Sequence, residues 1–235
     1  AFDVTEQAEA ERMRREFTAN VSHELKTPLQ SIIGSVELLE NDLVQPEDRP
    51  RFLGRIHQEA QRLVSLINDI LGLSQLDEGA AMPRESVSLL SLAQEAAASL
   101  SAAAQAQNVT LTVNGTAGTL TGVRRLLSET VRNLCENAVK YNVPGGSVTV
   151  TVAETPQAVT RTVADTGIGI PPADQSRVFE RFYRVDKSHS RAIGGTGLGL
   201  SIVKHAVACH HGTVQLDSTP GQGTVITVTL PKDAA

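Results

Sequence analysis

The tightest constraint on the fold is a run of apolar residues near the amino end. Leu53, Ile56, Ala60, Leu63, Ile67 and Ile70 follow one another by steps of 3, 4, 3, 4 and 3. Only an α-helix gathers such positions on one face, and an unbroken alternation of three and four is a heptad seam. Upstream, Phe17, Val21, Leu25, Leu29, Ile32, Val36, Leu39 and Leu43 also step by threes and fours and predict a second helix. Gln45-Pro46-Glu47-Asp48-Arg49-Pro50 between them reads as a break. Two helices with a short connection form a hairpin, and a hairpin with this much apolar surface cannot bury it alone. Pairing two hairpins into a four-helix bundle buries it, so a homodimer is expected.

Gly79 to Pro83 reads as a linker, and beyond it the pattern becomes mixed. Strands are predicted at Ser86–Leu90, Val109–Val113, Val148–Val152, Ala158–Val163, Val214–Leu216 and Val225–Leu230. Helices are predicted at Leu92–Ala106, Val123–Tyr141 and about Leu198–His210. Strands with interspersed helices make an α+β sandwich. The chain therefore divides into an entering helix over 1–16, a hairpin over 17–78, a linker over 79–85 and a sandwich domain over 86–235. The net charge of −5 argues against a dedicated nucleic-acid binder, which would show a basic surface. No apolar run approaches the roughly 18 residues of a membrane span, so no membrane contact by this stretch is expected. Cys135 and Cys209 lie in no metal-ligand pattern and read as small thiols of a reducing compartment.

His23 carries the first chemistry. At roughly 100° per residue it points away from the Val21 and Leu25 stripe, beside Glu16, Asn20, Thr27 and Gln30. An exposed neutral imidazole is a competent nucleophile for phosphoryl transfer. Glu24 is placed to orient the ring or take its proton, Thr27 to position a water, and Pro28 to bend the helix just past the site. Phe17-Thr18-Ala19-Asn20-Val21-Ser22-His23-Glu24-Leu25-Lys26-Thr27-Pro28-Leu29 closely resembles the phosphoacceptor box of the sensor histidine kinases of two-component systems. The resemblance implies that His23 is autophosphorylated, that Glu24 assists proton transfer, and that Thr27 serves a reverse, phosphatase reaction.

Further along, Asn133 and Asn137 stand at i and i+4 on one predicted helix face, where two amide oxygens suit a Mg²⁺ that keeps waters and phosphate oxygens. Lys140 reaches toward a phosphate, and Tyr141 can stack on a base. Asp165-Thr166-Gly167-Ile168-Gly169-Ile170 follows an apolar strand; its two glycines allow backbone to approach a planar ligand, and its carboxylate can accept an adenine amino group. Phe179 and Phe182 read as anchors for the segment that ends at Arg184. Lys187 to Gly194 has no apolar period and reads as a mobile lid. Gly195-Thr196-Gly197-Leu198-Gly199-Leu200 opens a helix whose free N–H groups suit phosphate. These segments are similar, in order, to the N box, the first glycine box and the second glycine box of the same family. The resemblance implies an ATP site with Mg²⁺ on Asn133 and Asn137, base recognition by Asp165, and Arg184 steadying the terminal phosphate.

The resemblance spans about Glu11 to Leu230. It implies a dimeric four-helix bundle followed by an α/β sandwich of the histidine-kinase and gyrase ATPase class. It also implies transfer of the phosphoryl group to an aspartate on a response-regulator receiver domain. Asp3-Val4-Thr5-Glu6 resembles the run-out of a PAS sensor domain, which places this part in the cytoplasm of a protein held at a bacterial plasma membrane. One departure is Val123, where many members have a polar residue at the helix start; Thr121 is an alternative cap. The remaining histidines, His57, His189, His205, His210 and His211, read as surface or packing residues. The main alternative is a gyrase- or chaperone-type ATPase. In those enzymes a Glu stands where this chain has Asn133, and an amide cannot act as a base. A third reading, an adaptor with a degenerate ATP fold, would require lost Asn, Asp or Gly positions, and none is lost.

Overall fold

The structure is a computed structural model and describes residues 4–77, 82–185 and 195–232. Two compact units are distinguished: among the described residues, 4–72 with 195–196 form the first, and 73–77, 82–185 and 197–232 the second. The expected lid, Lys187 to Gly194, and residues 79–81 of the expected linker lie outside the described residues.

The first unit is the helical hairpin. Helix α1 spans Val4–Glu40 and helix α2 spans Arg49–Asp77, with a single 3₁₀ turn at Pro46–Asp48 between them. Within the expected entering segment, α1 begins at Val4 and continues unbroken past His23. Pro28 lies inside α1 and is buried. Its missing N–H leaves the Glu24 carbonyl without its helical donor. The heptad seam is split. Ile56, Leu63 and Ile70 are partly covered and Leu66 is buried, whereas Leu53, Ala60 and Ile67 are exposed together with Val64 and Leu71. One edge of α2 faces its own hairpin, and the other is exposed among the described residues.

The second unit is a sheet backed by helices. Strand β1 (Glu85–Ser88) leads into α3 (Leu89–Ala106), β2 (Thr110–Gly115), β3 (Thr119–Gly122) and α4 (Arg124–Lys140). Strands β4 (Ser147–Glu154) and β5 (Ala158–Asp165), the short helix α5 (Pro172–Gln175), helix α6 (Gly199–Cys209) and strands β6 (Thr213–Thr219) and β7 (Gly223–Pro231) complete it. The main sheet has the order β2-β4-β5-β7-β6, parallel only between β2 and β4, and β1 pairs with β3 in a separate ribbon. The first predicted strand ends early. Ser88 turns the chain into α3 by accepting the Ser91 N–H at 3.3 Å, so Leu89 and Leu90 are helical.

Alternation along the strands sorts the two faces. Val148, Val150, Val152, Val159, Val163, Val228 and Leu230 are buried in one core with residues of α3, α4 and α6. Each such side chain contributes ~1.5–3 kcal/mol. The other face is largely threonine: Thr149, Thr151, Thr160, Thr162, Thr227 and Thr229. Arg161 breaks the pattern. It sits on the valine face, fully buried, and none of its three guanidinium nitrogens has a hydrogen-bond partner. Burial pulls its pKa down to about 10 against the opposing influence of Cys135. Burial likewise pushes the Cys135 thiol up to about 11.

Candidate active site

On the hairpin, His23 is exposed, as are Asn20, Thr27 and Gln30 on the same face of α1. The Thr27 hydroxyl donates to the His23 carbonyl at 3.2 Å, one turn back, which fixes its oxygen on the side of the imidazole. Glu24 does not stand alone beside the ring. Arg62 of α2 donates from Nη2 to Glu24 Oε2 at 3.3 Å, and both side chains are largely shielded, at 13% and 23% exposure. Nothing in the local sequence points to Arg62, because its partner is 38 positions away.

The second set of residues converges where α4, the β5 end and the start of α6 meet. Asn133 is buried on α4, and its Nδ2 has no hydrogen-bond partner. Gly199 opens α6 directly against it: a Cβ there would lie 3.1 Å from Asn133 Oδ1. The first N–H groups of α6, which no helical carbonyl satisfies, thus start beside the Asn133 amide. Asn137 follows one turn later and is half-buried. Lys140 lies over the Tyr141 ring, its Nζ 5.6 Å from the centroid. The Tyr141 phenol is pushed above its ordinary pKa by burial, opposed by the charge of Arg184, which places Arg184 in its neighbourhood. The Leu198 side chain is fully buried, so its backbone is the part that can face a ligand. Gly195, Thr196 and Gly197 precede it in the chain, and the Gly197 carbonyl accepts the Phe182 N–H at 2.9 Å.

Asp165 ends β5. Its Oδ1 accepts the Gly167 N–H at 2.8 Å and the Thr224 N–H at 3.2 Å. Burial raises the carboxyl's pKa and these two bonds oppose it. The glycines that follow are required by neighbouring protein backbone. A Cβ at Gly167 would stand 2.3 Å from the Tyr141 carbonyl oxygen, and one at Gly169, whose φ is +68°, 2.2 Å from that of Thr219. The loop is stitched down on both sides. Ile168 donates to the Tyr141 carbonyl at 3.1 Å, Gly221 donates to the Ile168 carbonyl at 2.8 Å, and Ile170 donates to the Ser218 hydroxyl at 2.8 Å. Gln175 adds bonds from Nε2 to the carbonyls of Ile170 and Ser218. Ser218 and Gln175 carry no motif and were not legible as part of this loop.

The cap of α4 is a correction. Neither Val123 nor Thr121 supplies it; the Val123 N–H donates to Nε2 of His210 at 2.9 Å. His210, expected at the surface or in packing, is a buried, doubly bonded residue at the end of α6. Among the described residues no group of three or more His, Cys, Asp or Glu is placed to hold a metal ion. The site's donors are instead amides, a carboxylate and helix-end N–H groups. That set fits a nucleotide whose phosphates complete the shell of a hard cation.

This geometry defines an ATP-binding sandwich joined to a helical hairpin that displays a histidine, and the comparisons with known proteins agree. Residues 122–234 match the "Histidine kinase-, DNA gyrase B-, and HSP90-like ATPase" family, and residues 13–79 match the "His Kinase A (phospho-acceptor) domain". The sensor-like histidine kinase SenX3 of Mycolicibacterium smegmatis is 39% identical over 236 residues, 98% of this chain and 60% of that protein. The chain thus spans about three fifths of that relative's length. The solved mycobacterial sensor histidine kinase MprB is 30% identical with a TM-score of 0.56, over 63% of this chain and 97% of that one. Full-length ShkA, solved in complex with AMPPNP, is 30% identical with a TM-score of 0.67, over 94% of this chain and 46% of that one. The chain belongs to the sensor histidine kinases of two-component systems, and its carboxyl-terminal domain is of the ATP-binding class those proteins share with DNA gyrase B and HSP90.

Proposed function

We propose that this chain is the catalytic core that phosphorylates its own His23 from ATP, as a homodimer, and passes the phosphoryl group to an aspartate on a response-regulator receiver domain. The observation that carries the reading is an exposed imidazole backed by a shielded carboxylate, in the same chain as a phosphate-suited helix end. A nitrogen of His23 attacks the γ-phosphorus, the bond to the β,γ-bridging oxygen breaks, ADP leaves, and the imidazole proton passes to Glu24. The work of the protein is positioning and charge neutralisation.

In this reading Asp165 accepts the adenine amino group on Oδ2, the oxygen not engaged by Gly167 and Thr224. Tyr141 flanks the base. The opening N–H groups of α6, with Gly197 and Gly199 giving them access, face the phosphates, and Lys140 and Arg184 supply positive charge. Through their amide oxygens, Asn133 and Asn137 would hold Mg²⁺, which neutralises phosphate charge when bound; the unpartnered, buried Nδ2 of Asn133 is a donor and supports an acceptor, such as a phosphate oxygen, beside it. Thr27 and Glu24 on one exposed turn also support hydrolysis of the phosphorylated regulator. A gyrase-type hydrolase is disfavoured because Asn133 cannot activate water, and the nearest carboxylate on α4, Glu136, is engaged by Arg132 at 2.8 Å.

The test is labelling with γ-³²P-ATP and Mg²⁺. The wild-type chain should acquire acid-labile, alkali-stable label, and His23→Ala should acquire none. Stoichiometric labelling of His23→Ala would remove the assignment.

A further inference from the structure

His210, in the second unit, has two defined bonds and almost no exposure, and nothing in the proposed reaction uses it. It caps α6 at its carboxyl end and is 1% exposed. Its Nε2 faces the Val123 N–H at 2.9 Å. A backbone N–H can only donate, so Nε2 must be the acceptor and Nδ1 must carry the proton. That proton goes to the Ala206 carbonyl at 2.7 Å, one turn back on α6. Burial lowers the pKa of the ring; the bond to Ala206 opposes this, and the charges of Arg84 and His211 add to it. The neutral tautomer required by the two bonds is thus the one its surroundings favour.

The two helices bridged by His210 are those that build the phosphate side of the nucleotide site. Val123 opens α4, which carries Asn133, Asn137 and Lys140. The other end of α6 carries Gly199, against Asn133. The helices therefore run antiparallel and touch at two fixed points: His210 on Val123 at one end, Gly199 on Asn133 at the other. The bridge also explains Gly122. A Cβ there would lie 2.9 Å from His210 Nε2 and 2.8 Å from a Leu127 methyl, so any side chain would drive the ring from the Val123 N–H. Arg84 adds a bond from Nη2 to the Cys209 carbonyl at 3.1 Å, which holds the same end of α6.

We propose that His210 is a positioning residue for nucleotide binding. Its imidazole sets the axial placement of α6 on α4, and through it the position of the α6 N–H groups relative to Asn133. It touches neither nucleotide nor reacting atoms. The inference rests on the ATP site proposed above.

The experiment measures Mg²⁺-AMPPNP binding by titration calorimetry on the full 235-residue chain, with thermal unfolding recorded in parallel and binding measured well below each melting temperature. His210→Gln keeps an acceptor at the Nε2 position, whereas His210→Asn reaches the Ala206 carbonyl but not the Val123 N–H. Binding within about threefold of wild type is expected for His210→Gln and roughly tenfold weaker binding for His210→Asn, the size of effect that follows from losing one buried bond. If His210→Asn does not fold, Gly122→Ala decides, because it displaces the ring without removing it and should weaken binding similarly. Wild-type affinity in whichever of these two variants decides overturns the proposal, as does equal loss in His210→Gln and His210→Asn. Absence of binding by the wild-type chain would instead remove the ATP site itself, and this inference with it.

Discussion

In the hairpin, eight large aliphatic side chains stand exposed among the described residues: Leu29, Ile33, Leu38, Leu43, Leu53, Val64, Ile67 and Leu71. In the much longer sandwich domain there are four, Val143, Ile168, Val185 and Val225. The sandwich encloses its core within one chain, between a sheet and three helices. Two helices have no third layer of their own to close over a second apolar edge, which supports the paired bundle proposed above. The chemistry is divided in the same way. The residues proposed for the nucleotide are placed by long-range bonds inside a finished core, whereas His23 is displayed on a helix whose apolar residues Leu29, Ile33 and Leu38 stay exposed.

Three variants would break or sharpen this contrast. The largest effect is expected from charging the open edge. Val64→Asp combined with Ile67→Asp buries two carboxylates in any paired bundle and should weaken association by well over a hundredfold, about 3 kcal/mol or more. Light scattering should then report one chain mass instead of two, while AMPPNP binding persists; a dimer of unchanged strength would mean the edge is not the contact. Next is Gly169→Ala in the sandwich. The added Cβ meets the Thr219 carbonyl at 2.2 Å at a left-handed φ, so a loss of about 3 kcal/mol and of AMPPNP binding is expected, with dimer mass retained. The smallest is a gain. Arg161→Met replaces an unpartnered buried guanidinium by an apolar chain of similar length and should stabilise the domain by about 2 kcal/mol. Calorimetric scanning should show the sandwich transition rising by roughly 4–8 °C; a fall would mean that the guanidinium is satisfied in solution.

What was legible in the sequence follows the range of the interactions. The hairpin could be read because its signal is local: a helix repeats every few residues, and Leu53 to Ile70 keep that rhythm through five steps. The division of that stripe into a covered and an open edge could not, because it depends on where α1 lies. Strand β3 was missed because four residues, Thr119–Gly122, carry too little alternation, and its partner β1 is about thirty positions earlier. The glycines of 165–170 were legible as necessary, but the protein atoms that exclude a side chain there, the carbonyl oxygens of Tyr141 and Thr219, were not. His210 was passed over for the same cause: Val123 is 87 positions away. Arg161 is the opposite case. The alternation from Val159 to Val163 already puts it on the inner face, and only its charge argues against that placement.

Helix α1 has a mechanical consequence. From Val4 to His23 it is one rod with no joint, about 28 Å long at the usual rise per residue. The first place where its backbone ladder lacks a rung is the Glu24 carbonyl opposite Pro28, immediately behind the imidazole. A twist or tilt applied at the amino end therefore passes along an unbroken rod to His23, and the more compliant point lies just past that residue, the proposed phosphate acceptor.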